Sequence, residues 1–208
     1  MTVFFKNNFL TLTGIILLFT LMLRIAVLTS CSNSGVYNVL GYGAAGDGQT
    51  DDRAAIQAAI DDCNAHGGGQ VLFPAGRTFL SSPLEFKSTI DYHFDVNSCL
   101  LANPDESVYN LSPFKDNNAE GMMWLWGRDA ENISISGTGT INGNGVAFMG
   151  EELEDSYKRK PVSNGFDPRP HLLTLINVQN IDIRDIQIKD SAYWTVHLCG
   201  CENVSIIG

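Results

Sequence analysis

Carboxylates that lie close together in the chain are the residues best suited to acid–base chemistry. Two groups stand out, Asp51 next to Asp52 and an acidic run of Glu151, Glu152, Glu154 and Asp155. An acid and a base can protonate a leaving group and activate water when both reach one substrate. Asp51 and Asp52 instead precede a predicted helix, whose positive end favours carboxylates. The acidic run is typical of a solvated loop, so we assign catalysis to neither group.

Five cysteines form a second set of reactive side chains, of which four follow Cys31: Cys63, Cys99, Cys199 and Cys201. No nearby His or Cys completes a tetrahedral ligand set, so we predict no metal site. Cys199 and Cys201 would point to one face of an extended segment, which suits packing better than a bond between them. Four thiols allow three disulfide connectivities, and the sequence does not choose among them. We predict buried structural thiols.

The first thirty residues have the pattern of a targeting segment. Lys6 precedes a mostly apolar stretch over residues 9–23, which is long enough for a signal-peptide core but short for a membrane span. Arg24 interrupts it, and Leu28-Thr29-Ser30-Cys31 follows. This arrangement resembles a bacterial lipoprotein signal, in which the Cys is lipidated. An ordinary secretory signal or an uncleaved anchor is the alternative.

These features divide the chain into a lipoprotein-type signal peptide over residues 1–30, a tether over residues 31–36 and a domain over residues 37–208. Acyl chains on Cys31 would anchor the protein stably to a membrane. We therefore expect an exported protein, a periplasmic or cell-surface lipoprotein of a bacterium.

The charge of the chain excludes some partners. A formal net charge of −10 and a pI near 4.6 argue against nucleic acid or an anionic membrane surface, because both attract basic proteins. A polyanionic ligand would need a local basic patch, and the candidate is Lys158-Arg159-Lys160 with Arg169. A loop kept soluble by mixed charge also explains this cluster.

The segment after the targeting residues combines one helix with short strands. Residues 37–39 form a strand candidate, and the glycines of residues 41–48 mark tight turns. Thr50 is the predicted N-cap of a helix whose apolar stripe ends at Gly67-Gly68-Gly69. A strand is predicted to begin at Gln70.

One short pattern recurs three times, as residues 132–135, 180–183 and 203–206, each led by Asn. Alternating apolar residues within each copy predict a half-buried strand. The Asn positions are 48 and 23 residues apart, so a degenerate copy between the first two would give a period of about 24. This period predicts an all-β fold, a right-handed parallel β-helix, preceded by an amphipathic capping helix.

The last copy stops at Gly208. Because uncapped solenoid ends and open sheet edges favour aggregation, we expect this chain to be the front part of a longer, truncated protein.

The motifs resemble those of a known enzyme family. Residues 38–48, 50–57 and 67–76 are similar to the N-terminal coil of pectin-degrading β-helix enzymes, where one amphipathic helix caps the coils. Residues 132–145, then Arg169-Pro170, then residues 191–197, look like the first half of glycoside hydrolase family 28, the polygalacturonase family. Asn142 and Phe148 depart from the family pattern, at positions that are not catalytic in it.

This resemblance implies inverting hydrolysis of galacturonan or rhamnogalacturonan in pectic polysaccharide, with no metal or other cofactor. The family's chemistry belongs to three Asp residues, in an Asn-Thr-Asp-Gly motif and an Asp-Asp pair, supported by a Gly-His-Gly histidine and an Arg-x-Lys element. Asn-Thr-Asp-Gly, Gly-His-Gly and Arg-x-Lys do not occur in this chain, and its adjacent Asp51 and Asp52 lie at the predicted helix start. We therefore place no catalytic residue in this segment and expect it to be inactive alone.

The resemblance also nominates substrate-binding residues. Trp194 and His197 correspond to a neighbourhood near one wall of the family's sugar cleft, and Arg169 could contact a substrate carboxylate. Each has a structural alternative: core packing for Trp194, a hydrogen-bonded structural role for His197 and loop anchoring for Arg169. Trp124 and Trp126, two residues apart, are predicted to share a strand face and to pack between coils.

Two other functions stay open. A pectate-lyase-like eliminase usually requires calcium, and a non-catalytic β-helix would bind carbohydrate without cleaving it. The expected partner in each case is a polysaccharide, and the expected state is a monomer.

Overall fold

A computed structural model describes residues 35–112, 121–159, 167 and 169–208. The predicted signal peptide over residues 1–30, the lipidation candidate Cys31 and Lys160 of the basic cluster lie outside these residues. The first described strand begins at Gly35, two residues before the domain start predicted at residue 37.

Almost all described strands belong to three parallel sheets. The first sheet contains β1 (Gly35–Asn38), β3 (Gly69–Phe73), β6 (Ile90–Phe94), β9 (Glu131–Gly137), β14 (Gln179–Arg184) and β17 (Glu202–Ile207). The second sheet contains β2 (Asp47–Asp51), β4 (Thr78–Ser81), β7 (Cys99–Ala102), β10 (Thr140–Asn142) and β15 (Gln187–Lys189). The third sheet contains β5 (Leu84–Glu85), β8 (Met122–Arg128), β13 (Pro170–Ile176) and β16 (Val196–Cys199). An antiparallel hairpin adds β11 (Met149–Glu152) and β12 (Tyr157–Arg159).

The chain visits the three sheets in turn and then starts the next coil. From β6 it passes to β7 in the second sheet and β8 in the third, and returns to the first sheet at β9. Each strand pairs in parallel with its counterpart one coil away, as β6 does with β9 and β7 with β10. These coils form a parallel β-helix, which confirms the predicted fold class.

Apolar side chains stack in register inside the coils. Ile90, Ile133 and Ile181 form one row of the first sheet, with exposed fractions of 1% each. The row continues to Val204 in β17, which is 40% exposed. The alternation predicted for the Asn-led repeat therefore places the apolar positions of its first two copies in the core, while those of the third copy are exposed.

The prediction of a degenerate copy between the first two repeats is wrong. β9 and β14 pair directly, with Ile133 opposite Ile181, so the 48 residues between Asn132 and Asn180 make a single coil. That coil is long because the β11–β12 hairpin and its flanking segments are inserted between β10 and β13. Repeat spacing alone does not distinguish a lengthened coil from a missing one.

The Asn that leads each repeat has a structural cause. Asn132, Asn180 and Asn203 all adopt left-handed backbone conformations, with φ of 57°, 58° and 55°. Asn tolerates this region better than most residues because its short polar side chain bonds locally. The Asn180 amide donates to Asn132 Oδ1 at 2.9 Å, and the Asn203 amide donates to Asn180 Oδ1 at 3.0 Å. These three side chains form a ladder along the corner between the third and first sheets.

A second left-handed row lies three residues earlier at the same corner. It consists of Asp129, Asn177 and Gly200, with φ of 50°, 54° and 63°. The Asn177 amide donates to Asp129 Oδ1 at 3.0 Å. A Cβ atom on Gly200 would lie 2.7 Å from Asn177 Oδ1, so a larger residue there would displace the Asn177 side chain. The coils that enter β9, β14 and β17 therefore each turn this corner with two left-handed residues.

The helix α1 (Arg53–Ala65) packs Ile56, Ala59, Ile60 and Cys63 against the first coils. Its N-cap is Asp52, not Thr50 as predicted, because Thr50 lies in β2 and its hydroxyl donates to Asp47. The helix ends before Gly67-Gly68-Gly69, all with positive φ, as predicted. Among the described residues no helix is long and apolar enough to cross a membrane.

The ladder makes a prediction about Asn180. Substituting Asn180→Ala removes both ladder bonds and forces a Cβ residue without a polar group into the left-handed region, so we expect a loss of about 1–3 kcal/mol in unfolding free energy. The matched variant Asn180→Gly loses the same bonds without that backbone cost and should be less destabilised. Urea denaturation of both variants measures the difference. An alanine variant as stable as the glycine variant would contradict this account.

Candidate functional site

The three predicted binding residues lie on one side of the third sheet. Arg169 precedes β13, while Trp194 precedes β16 and His197 lies within it. Arg169 and Trp194 line a shallow depression of about 430 Å³ together with Ala192, Tyr193 and Thr195.

Strand β13 is hydrogen-bonded to the segment that carries Trp194. The amides of Leu172 and Leu173 donate to the carbonyls of Trp194 and Thr195 at 2.9 and 3.2 Å. Both leucines pack in the core, while the ring of His171 contacts Tyr193 at the depression.

Arg169 is held by a buried carboxylate. Its Nε donates to both oxygens of Asp167, at 3.1 and 3.2 Å, and its Nη2 donates to Asp167 Oδ2 at 2.8 Å. The Asp167 side chain is 1% exposed and that of Arg169 17%. The Arg169 guanidinium carbon also lies 4.8 Å from the centroid of the Tyr193 ring, within cation–π range. Asp167 and Tyr193 together fix the guanidinium at the edge of the depression.

Aromatic rings continue from Arg169 to Trp194. His171 lies edge-on to Tyr193 at 4.8 Å and is stacked on His197 at 5.0 Å between ring centroids. The Trp194 ring lies 5.9 Å from the His197 ring at an interplanar angle of 27°. The predicted residues therefore belong to one aromatic cluster that includes Tyr193 and His171.

His171 is fully buried, and its electrostatic environment disfavours the imidazolium. Burial, with a smaller contribution from His197, lowers the pKa of His171 from 6.5 to about 4, although Asp167 opposes the shift. The ring is therefore neutral near neutral pH and packs as a polar aromatic group.

Trp194 is not the core residue that packing arguments favoured, since it is 58% exposed. An exposed indole beside a held guanidinium offers a flat apolar face next to cationic N–H donors. Sugar-ring C–H groups and a carboxylate are the ligand features that match such a pair.

His197 is half-buried, and its Nε2 lies 3.2 Å from Cys199 Sγ. Burial, together with Cys201, raises the pKa of the Cys199 thiol, so this sulfur is not an activated thiolate. Cys63, Cys99, Cys199 and Cys201 are free thiols, of which Cys63 is buried and the others are half-buried. The predicted burial is therefore complete for Cys63 alone.

The neighbouring carboxylates Asp51 and Asp52 have structural partners. Asp52 accepts hydrogen bonds from the amides of Ala45 and Gly46, and Asp51 accepts from Arg53, Ser82 and Asn103. Partial burial alone would raise the pKa of Asp51, but these hydrogen bonds outweigh it and lower the pKa. Both side chains join the first coils and are not placed as an acid–base pair.

The acidic run lies on the inserted hairpin and is exposed, as predicted. Lys158 of the proposed basic patch pairs with Glu151 at 2.6 Å on this exposed hairpin. Within the described ranges, no group of three or more His, Cys, Asp or Glu side chains is arranged to hold a metal ion.

Sequence reasoning missed Asp167, Tyr193 and His171. The spacing Asp167-x-Arg169 and the aromatic neighbours of Trp194 were visible in the chain. These residues come into contact because β13 pairs with β16. The sequence of a single coil does not show this pairing.

Comparisons with known proteins identify related sequences. The profile of the family described as "Rhamnogalacturonase A/epimerase, pectate lyase-like" matches residues 36–95. An exopolygalacturonase of Cochliobolus carbonum is 31% identical over 152 residues, covering 71% of this chain and 30% of that protein. Mannuronan C5-epimerase AlgE1 of Azotobacter vinelandii is 38% identical over 178 residues, covering 75% of this chain and 12% of that protein. The chain spans about a third or less of the length of these relatives.

A solved structure has the same architecture. The family 28 exopolygalacturonase of Yersinia enterocolitica superposes with a TM-score of 0.69 at 23% identity, covering 85% of this chain and 38% of that one. The fold is therefore the right-handed parallel β-helix of the pectin-lyase-like type.

The lowered pKa of His171 makes a prediction about pH. Because the unfolded imidazole binds a proton near pH 6.5 and the folded one only near 4, the unfolded state holds more protons between these values. Unfolding free energy should therefore fall as the pH drops from about 6.5 toward 4. We expect His171→Gln to flatten this dependence between about pH 7 and 5, above the usual carboxyl range. Urea denaturation at each pH measures it.

The matched control is Gln179→Ala, which replaces an exposed side chain of β14 that does not titrate. That variant should keep the parent's pH profile. Parallel pH profiles for the parent and the His171 variant would show that His171 does not contribute to the pH dependence of the unfolding free energy.

Proposed function

We propose that this chain supplies part of the substrate site of a polygalacturonase-type glycoside hydrolase that acts on pectic polysaccharide. The observation that carries the proposal is Arg169, held by the buried carboxylate of Asp167 beside the exposed indole of Trp194. A uronate residue presents a carboxylate to the guanidinium and a sugar ring to the indole. The named activities of the relatives support this substrate class, because polygalacturonan and mannuronan are both polymers of uronic acids.

Hydrolysis in this class of enzyme would proceed with inversion. One carboxylic acid protonates the departing oxygen, while a carboxylate activates water on the opposite face of the ring, about 6.5–9.5 Å away. The described carboxylates Asp51, Asp52 and Asp167 are engaged in structural contacts. We propose that the residues of this chain bind the polymer and that they do not by themselves cleave it.

We further propose that the mature protein is exported and anchored by lipid on Cys31, following the pattern of apolar residues before Leu28-Thr29-Ser30-Cys31. This location would bring the binding face to polysaccharide outside the cytoplasm.

Arg169 should determine affinity for uronate. For the 208-residue chain we expect Arg169→Gln to weaken trigalacturonate binding roughly ten-fold or more, because a hydrogen bond to a charged group is lost. Asp167→Asn should weaken it less, since the guanidinium remains but is no longer fixed. Isothermal titration calorimetry measures both, and a reducing-sugar assay on the same samples should show no release above blank.

The control is Arg77→Gln, which removes an exposed arginine on a turn before β4. Its affinity should match the parent's. Unchanged binding by Arg169→Gln would contradict the proposed site, and sugar release that is lost on substituting an internal Asp would contradict the proposed lack of cleavage.

Cys31 should determine membrane association. In a bacterial host, Cys31→Ser should move the protein from the membrane fraction to the soluble exported fraction and change its electrophoretic mobility, because the acylated thiol is absent. The control is Cys63→Ser, at a buried thiol of α1, which should leave membrane fractionation unchanged. Unaltered fractionation and mobility of Cys31→Ser would refute lipidation.

A further inference from the structure

A second depression lies on the side of the third sheet that faces α1. It has a volume of about 640 Å³. Its wall includes Arg53, Gln57 and Asp61 of α1, Glu85 of β5 and the half-buried Trp126 of β8. The prediction that both tryptophans of β8 pack between coils holds for Trp124, which is fully buried and donates from Nε1 to the Ser81 carbonyl. Trp126 instead presents part of its ring to this depression.

Trp126 stands in the same row of the third sheet as His197 of the Arg169 site. In register across the sheet, Glu85 is opposite Trp126, Trp126 is opposite Thr174, and Thr174 is opposite His197. Strands in a sheet are about 4.8 Å apart, which puts Trp126 roughly 10 Å from His197 along the row. Thr174 between them is fully buried, so an extended ligand that meets both depressions passes over the neighbours that cover Thr174.

The wall of the Trp126 depression is fixed by hydrogen bonds. The Gln57 side chain accepts from the Glu85 amide at 2.9 Å and donates to the Glu85 carbonyl at 3.2 Å. It also donates to Asp61 Oδ1 at 3.0 Å. The hydrogen bonds between α1 and β5 therefore fix the wall of the Trp126 depression in the absence of a ligand.

Carboxylates outnumber cations around Trp126, whereas Arg169 and Asp167 form one ion pair beside Trp194. Asp51, Asp61 and Glu85 line the depression, and Arg53 is the one cation among its described lining residues. Lys87 lies nearby but pairs with Asp61 at 2.7 Å. Partial burial alone would raise the pKa of Asp61, but hydrogen bonds from Lys87 and Gln57 outweigh it and lower the pKa. The carboxylates of Asp51 and Asp61 are therefore ionised at neutral pH and would repel a uronate.

We propose that the Trp126 depression is a subsite for an uncharged sugar residue of the same polysaccharide whose uronate binds at Arg169. The indole offers a face for the sugar ring, and the carboxylates accept hydrogen bonds from its hydroxyl groups. The uncharged residue is a neutral sugar or a methyl-esterified uronate, which share this chemistry. The inference rests on the proposed function and adds a charge preference that changes along the binding face.

Fluorine NMR of the 208-residue chain labelled with 5-fluorotryptophan tests the proposal. Its three tryptophans give three signals, which Trp126→Phe and Trp194→Phe assign. We expect a de-esterified oligogalacturonide to shift the Trp194 signal alone. A rhamnogalacturonan oligosaccharide, in which uronate and neutral rhamnose alternate, should shift both Trp194 and Trp126. A methyl-esterified oligogalacturonide distinguishes the two uncharged occupants. A shift of the Trp126 signal with this oligomer would show that the subsite binds esterified uronate, and no shift would show that it binds the neutral sugar alone.

Two variants and one control variant sharpen the test. Trp126→Ala should weaken rhamnogalacturonan binding roughly three- to ten-fold, while leaving trigalacturonate affinity unchanged. Glu85→Gln should allow the de-esterified oligomer to shift the Trp126 signal, whereas Glu131→Gln, at an exposed carboxylate on the first sheet, should not.

The outcomes separate this inference from the proposed function. If Trp194 responds but no oligosaccharide shifts Trp126, or if the de-esterified oligomer shifts Trp126 as strongly as the rhamnogalacturonan does, the subsite proposal is wrong. If neither signal responds to any oligosaccharide, the proposed function fails and the subsite fails with it.

Discussion

The whole architecture depends on parallel strand pairing between successive coils. Each strand of the first sheet pairs in register with the next, from β1 through β17, so equivalent side chains of successive coils stack directly on one another. This register puts Ile90, Ile133 and Ile181 in one buried row. It also aligns the row from Glu85 to His197 on the third sheet, which carries the proposed binding face. Core and site are therefore two consequences of one hydrogen-bonding pattern.

Much of this fold follows from the sequence because its signals are local. Alternating apolar residues behind an Asn predict a half-buried strand, and the left-handed conformation of Asn132, Asn180 and Asn203 explains why that Asn recurs. The helix stop at residues 67–69 is also local, since positive φ favours glycine. The coil between Asn132 and Asn180 was misjudged because an insertion lengthens the spacing without changing the pairing.

The candidate site was harder to predict because it is assembled by non-local contacts. Arg169, Trp194 and His197 could be nominated from the chain, but the buried Asp167 that fixes Arg169 and the stacking of His171 on His197 arise only when β13 meets β16. Exposure was equally hard to judge, because an aromatic residue near a strand has the same sequence pattern whether it packs inside or faces a ligand. Trp124 and Trp126 illustrate this: they are two residues apart on one strand, but Trp124 is fully buried and Trp126 lines a depression.

The inserted hairpin between β10 and β13 shows how tolerant this scaffold is. Register on either side of it is unchanged, with β9 paired to β14 and β10 to β15. The entropy cost of closing a loop grows only slowly with its length, so segments at this corner can be exchanged or extended at small expense to the stack. A β-helix of this kind therefore accommodates a change in the length of the segment between β10 and β13 while the rows of the coils stay in place.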